Sequence, residues 1–202
     1  LAQIGEVNER IVVMDADLAC STQTKIFAEK FPNRFFDCGI AEQDMVATAA
    51  GLASQGKIPF AASFAVFATG RTYDQIRNAI CYPKFNVKII GTHGGITVGE
   101  DGATHQALED VALMRNLPNM TVIVPADSKE CEEAVKFALG TIEEDDLLKK
   151  IWAIATHGSG PYVKPRFPIG VIDKGDPTML YDDDIEVMKN ALLALQPADT
   201  FD

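Results

Sequence analysis

Five short apolar runs, separated by longer segments with helical periodicity, constrain what this chain can fold into. IVVM (11–14), RFFDCG (34–39), PFAAS (59–63), NVKIIG (86–91) and MTVIV (120–124) are mostly apolar, and several carry β-branched or aromatic residues. Runs of this length and composition read as strands buried on both faces. Between them, AEQDMVATAAGLASQ (41–55) places Met45, Ala49 and Leu52 on one helical face, at i, i+4, i+7. Similar stripes predict helices over 71–80, 104–117 and 128–139. Ser128, followed by Glu130, Glu132 and Glu133, gives the last of these an acidic first turn that suits the helix dipole. Strand then helix, repeated, predicts an α/β fold: a parallel sheet flanked by helices on both faces.

Charge and composition narrow the partners. Net charge is −11, from 29 acidic against 18 basic residues, and no Lys/Arg cluster forms a footprint for nucleic acid or an anionic membrane surface. No apolar stretch approaches the ~20 residues that span a bilayer. The first residues, LAQIGEVNER, lack the pattern of a signal peptide and read as the end of a helix already under way. Cys20, Cys38, Cys81 and Cys131 are far apart with no CxxC pair, the pattern of reduced thiols in a cytoplasmic protein and not of a metal site. Beyond Leu139 the periodicity weakens. The expected division is an α/β domain over 1–170 and an irregular tail over 171–202. The aspartates at 182–184 read as a solvated loop or helix start before they read as a cation site.

Open parallel sheets bind ligands beyond the carboxyl ends of their strands. The residues just past each predicted strand are therefore informative: Asp15, Asp17 and Ser21 after the first; Glu42 after the second; Phe64 and Phe67 after the third. His93, Glu100, Asp101 and His105 come after the fourth, and Pro125 and Asp127 after the fifth. Two of the three histidines fall within one loop, THGGITVGEDGATH, in which Gly94, Gly95, Gly99 and Gly102 permit close backbone approach. A phosphate cradle fits poorly, because Glu100 and Asp101 repel phosphate and no GK[ST] comes after them. Acids and histidines on one loop suit the gripping of a hydroxylated substrate.

DADLACST (15–22), FFDCGIAEQDM (35–45), SFAVFATGRTYDQIR (63–77), GTHGGITVGEDGATHQALEDVALMR (91–115) and LPNMTVIVPAD (117–127) together carry a resemblance. From Ile11 to Leu139 the chain resembles the pyrimidine-binding (middle) domain of transketolase. GRTYDQIRNAICYPKFNVKI is most similar to the transketolases divided between two polypeptides, of which this would be the C-terminal subunit. The cofactor implied is thiamine diphosphate. In the resembled family the Glu of the GIAEQ-type motif, here Glu42, hydrogen-bonds the far ring nitrogen of the pyrimidine and drives its amino group toward an imino base. An aromatic strand on one side of Glu42 and an Ala-rich helix on the other give the partly desolvated setting in which a carboxyl shares a proton. An acid satisfying a helix N-terminus is the plainer explanation of the same residue.

The resemblance also implies that Phe64 and Phe67 line the pyrimidine pocket and that Asp17 lies near the thiazolium. His93, Asp101 and His105 match contacts to the sugar substrate, with His93 and His105 able to move protons. Ser21 matches a contact to the substrate phosphate. Arg166, in GPYVKPRFPIG, stands either for the family's phosphate-gripping arginine, displaced by Pro165, or for a surface residue. His157 reads as structural or solvent-facing. An apparent extra residue near Gly70 disturbs the match at Arg71 and Tyr73.

The GDG motif that holds the diphosphate and Mg2+ in the family is not in this sequence. The implied arrangement is half a site, with no metal on this chain and a diphosphate-binding partner subunit supplying the rest, in a homodimer formed through the pyrimidine domain. The implied reaction moves a two-carbon ketol unit between sugar phosphates. Deoxyxylulose-phosphate synthase, a 2-oxoacid dehydrogenase beta-like subunit and a non-catalytic regulatory homologue are the alternatives.

Overall fold

The computed structural model describes residues 1–140 of the chain. Residues 1–122 form one compact unit, and residue 123 begins another. In the first, β1 (Ile11–Asp15), β2 (Phe35–Asp37), β3 (Ile58–Phe64) and β4 (Lys88–Thr92) form an all-parallel sheet in the order β2-β1-β3-β4. In register, Val13 stands beside Phe35 and Phe60, and Ala61 beside Ile89. Every residue of β1 and β3 is buried, so the apolar runs reflect burial on two faces.

Successive strand residues point to opposite faces. Met14 and Ala61 share one face, where Met45 and Ala49 of α4 (Glu42–Ser54) pack against them. The neighbouring side of α4 contributes Val46 and Ala50 to a second cluster with Ile76, Ile80, Cys81, Met114 and Leu117. One helix thus joins the sheet to the helical layer. Helix α2 (Ala19–Thr22) approaches β3, while α1 (Ala2–Val7) packs on α3 (Lys25–Lys30). Arg34 fixes that corner, donating to the Gly5 and Asn8 carbonyls at 2.8 and 3.0 Å with its Cζ 3.9 Å from the Phe31 ring centroid.

Four sequence expectations need correction. RFFDCG and NVKIIG form strands that are not buried on both faces: β2 is half-buried at Phe35 and exposed at Phe36 and Asp37, and β4 is mostly half-buried, because these two are the edges of the sheet. The helix predicted over 71–80 belongs to a longer run in which wide, π-type turns (Val66–Arg71 and Ile76–Cys81) flank the single α-turn α5 (Tyr73–Gln75). Thr69 and Thr72 hydroxyls donate to Ala65 O and Ala68 O, four residues back, and so compete with the α ladder there. The helix predicted over 104–117 is only α6 (Asp110–Arg115), because the backbone of Ala107 is engaged in an antiparallel bridge to Gly95. MTVIV forms no strand among the described residues; Met120 and Val122 pack against the second cluster, so side-chain burial alone accounts for their apolar character.

In the second unit, α7 (Ser128–Ala138) is capped by Asp127, one residue before the predicted acidic turn. Asp127 Oδ1 accepts from the Lys129 and Glu130 backbone N–H groups at 2.8 and 2.9 Å, and Glu130 Oε2 accepts from Ala126 N at 2.6 Å. This is a near-reciprocal capping box. The proposed boundary at 170/171, His157, Arg166 and the aspartates at 182–184 lie outside the described residues.

At the carboxyl end of β1, Asp15 is fully buried and fully satisfied. Its Oδ1 accepts from Leu18 N at 2.6 Å, and its Oδ2 from the Thr22 and Thr24 hydroxyls at 2.6 and 2.8 Å. The carboxylate shapes the next turn, which carries Asp17 and Ser21. Replacing Asp15 with Ala strands these donors, and loss of buried partners predicts destabilisation of about 3 kcal/mol. Urea unfolding measures it; a loss under about 1 kcal/mol would contradict this account of the turn.

Candidate active site

Glu42 opens α4, the helix that follows β2, and is 1% exposed. Arg71 Nη1 donates to its Oε2 at 2.7 Å. Arg71 in turn lies over Phe67, with Cζ 4.4 Å from the ring centroid. Phe67 continues to His105 (centroids 5.1 Å, edge-on) and to Phe64 (6.4 Å, nearly parallel). Phe64 meets His93 at 4.2 Å. One unbroken line of contacts thus runs from a buried carboxylate through two rings to two imidazoles.

The fold explains this convergence. Phe64 ends β3 directly beside Thr92, the end of β4, so the next residue, His93, emerges against the Phe64 ring. Close packing at that point requires Gly91, since a Cβ there would stand 3.1 Å from Ala65 Cα. His93 adopts φ +54°, a left-handed conformation that is costly for a residue with a side chain and recurs at functional sites. The long loop returns through the Gly95–Ala107 bridge (N···O 2.7 and 3.2 Å), which brings His105 back to the same rings. His93 Nδ1 lies 2.9 Å from Thr92 Oγ1, and His105 Nδ1 lies 2.9 Å from Thr104 Oγ1. Each imidazole is held by one nitrogen and keeps Nε2 for other partners.

Of the residues singled out in the sequence, the structure therefore gathers Glu42, Phe64, Phe67, His93 and His105. Asp17, Ser21 and Asp101 are exposed, and no contact among the described residues joins them to this line. Asp17 has φ +63°, and its N–H donates to Asp37 Oδ1 at 3.1 Å. Asp101 precedes the 3-10 turn Gly102–Thr104, where its carbonyl accepts from the Thr104 hydroxyl.

The residue that sequence reasoning left unplaced is Arg71. The signal was the apparent extra residue beside Gly70. A wide turn holds one more residue than an α turn, and Val66–Arg71 is such a turn, at whose end Arg71 donates to Glu42. Gln43 Nε2 also donates to Arg71 O at 3.0 Å, tying the backbone there to the start of α4.

A buried carboxylate beside parallel ring faces and two imidazoles suits a flat nitrogen heterocycle: the rings take its face, and the carboxylate meets a ring nitrogen. A parallel sheet with such groups at its strand ends is the layout of an α/β ligand-binding domain. The model of the family described as "Transketolase, pyrimidine binding domain" matches residues 1–148. This chain belongs to the transketolase family, as its pyrimidine-binding domain. It is 56% identical over 136 residues to a transketolase C-terminal section of Methanocaldococcus jannaschii, covering 67% of this chain and 43% of the relative. It is 44% identical over 134 residues to the 6-deoxy-6-sulfo-D-fructose transketolase subunit SqwH of a Clostridium species, covering 66% and 42%. The solved structure of a split gene transketolase, described as an inactive beta4 tetramer, matches with a TM-score of 0.60 and 56% identity, over 69% of this chain and 44% of that one. The chain spans less than half the length of these relatives.

Acids surround this edge of the sheet. The Cys38 thiol is pushed up from its ordinary range, first by burial and then by the charges of Asp44, Asp37 and Asp15. Because the thiolate is the reactive form, Cys38 is predicted to alkylate several-fold more slowly than an unstructured cysteine peptide at about pH 8. Peptide-resolved mass spectrometry after iodoacetamide treatment measures this, and equal rates would contradict it.

Proposed function

We propose that this chain is the pyrimidine-binding part of a thiamine diphosphate-dependent transketolase and is inactive without a diphosphate-binding subunit. The observation that carries this is the burial of the Glu42 carboxylate at the end of the line formed by Arg71, Phe67, Phe64 and the two histidines. When bound, thiamine diphosphate supplies a carbanion and then an electron sink at the carbon between its thiazolium nitrogen and sulfur. Glu42 shares a proton with the far nitrogen of the pyrimidine. Phe64 and Phe67 hold the ring by its face and exclude water from it. His93 and His105 present Nε2 to the hydroxyls of a sugar phosphate and move protons during cleavage of the carbon–carbon bond.

Asp17 near the thiazolium, Ser21 and Arg166 toward a substrate phosphate, and Asp101 toward a hydroxyl complete the proposed set. The partner carries the diphosphate and Mg2+, and two pyrimidine domains pair in the assembly, which works in the cytoplasm. The domain over 1–170, with 171–202 as a tail, remains part of this reading. The description of the split gene relative as an inactive beta4 tetramer supports a need for a second kind of subunit. Transfer of a two-carbon ketol unit between sugar phosphates is the proposed reaction.

Reconstitution tests the proposal. The purified chain alone is expected to turn over no ketose donor, and addition of a diphosphate-binding subunit, thiamine diphosphate and Mg2+ is expected to restore activity. In that complex, Glu42→Gln should lower turnover by at least about 100-fold, the scale of losing a proton-transfer group. Near-wild-type turnover by this variant would remove Glu42 from the chemistry, and full turnover by the chain alone would remove the half-site.

A further inference from the structure

Arg71 engages two of the groups on which the proposed site depends. Its Nη1 takes Glu42 Oε2 at 2.7 Å, and its guanidinium covers Phe67 at 4.4 Å. The Glu42 side chain is 2% exposed and that of Arg71 44%, so the arginine forms the solvent side of the pair. Among the described residues no other donor reaches the Glu42 carboxylate. The Arg71 backbone is held separately, through its carbonyl and Gln43 Nε2. Its side chain can leave without dismantling the turn.

A guanidinium and an aminopyrimidine offer similar chemistry to these groups. Both are flat and conjugated, donate in-plane N–H groups to a carboxylate, and lie against an aromatic face. They compete for Glu42 Oε2 and for the covered face of Phe67, while Oε1 takes no donor among the described residues. We infer that Arg71 is a displaceable latch over the cofactor site: the pyrimidine gains Glu42 Oε2 and the covered face of Phe67 only as the guanidinium swings to solvent. This rests on Glu42 being the pyrimidine's partner. Swinging out alone leaves a buried carboxylate unpaired, which is unfavourable until another donor arrives. Opening is therefore coupled to ring binding, and the closed pair lowers the apparent affinity by the fraction of molecules it holds shut.

The test is equilibrium titration of thiamine diphosphate, with Mg2+, into the complex of this chain and its diphosphate-binding subunit, monitored by fluorescence quenching. Arg71→Met keeps an apolar stem over Phe67 and removes the donors. It is expected to bind the cofactor about tenfold more tightly than wild type, equivalent to about 1.4 kcal/mol. Arg71→Lys keeps the charge without the planar fork and should fall between them. Should Arg71→Met fail to fold by circular dichroism, the direction of the Lys shift decides. Equal or weaker binding by the folded variants overturns the latch. Glu42→Gln, titrated in parallel, separates the two ideas: binding indifferent to it removes the cofactor reading and the latch together. Binding weakened by Glu42→Gln but not tightened by loss of Arg71 removes the latch alone.

Discussion

Burial of β1 and β3 on both faces is the constraint on which the rest of this domain depends. A strand covered above and below makes polar side chains costly along its length, so they collect toward its end; in β3 the one buried hydroxyl, that of Ser63, lies one residue before the end and has no hydrogen-bond partner among the described residues. Asp15 shows this at β1: a buried carboxylate is tolerated because three donors meet it close to the strand end. The end of β3 takes the opposite solution, presenting Phe64, whose ring becomes the contact point for His93 and His105. The sheet contributes to the site by leaving it one edge.

Helix α4 links that edge to the rest of the fold. Its Met45 and Ala49 pack on the sheet, while Val46 and Ala50 pack into the helical cluster. Glu42, one turn earlier on the same helix, is buried as well. The charge is accommodated by Arg71, at the end of the wide turn Val66–Arg71. A buried carboxylate with a single, solvent-facing partner is well held yet accessible to exchange. A fully satisfied one such as Asp15 is not.

Much of this was legible in the sequence because burial leaves a pattern. IVVM and PFAAS locate β1 and β3 to within a residue at each end, and the stripe in 41–55 locates α4. The same logic misread MTVIV, since apolar side chains report burial and not whether the backbone finds a ladder. Glu42, Phe64, Phe67, His93 and His105 were singled out by motif; the rings and imidazoles meet because β3 and β4 end in register, and Glu42 joins them through Arg71. Asp17, Ser21 and Asp101 came from the same resemblance, but each is exposed, and no hydrogen bond or ring contact among the described residues joins it to the others. Arg71 escaped notice because its position depends on the pitch of its helix, and no residue pattern states that pitch.

That pitch has a consequence for how such a site can change over time. Each residue advances an α-helix by about 100°, so one added residue would ordinarily rotate everything downstream away from its partners. Two wide turns, Val66–Arg71 and Ile76–Cys81, take up such a change in the backbone, and Ile76 and Ile80 stay seated in the core. Insertion and deletion, not substitution alone, thereby become ways to vary what covers Glu42 while the hydrophobic framework stays in register.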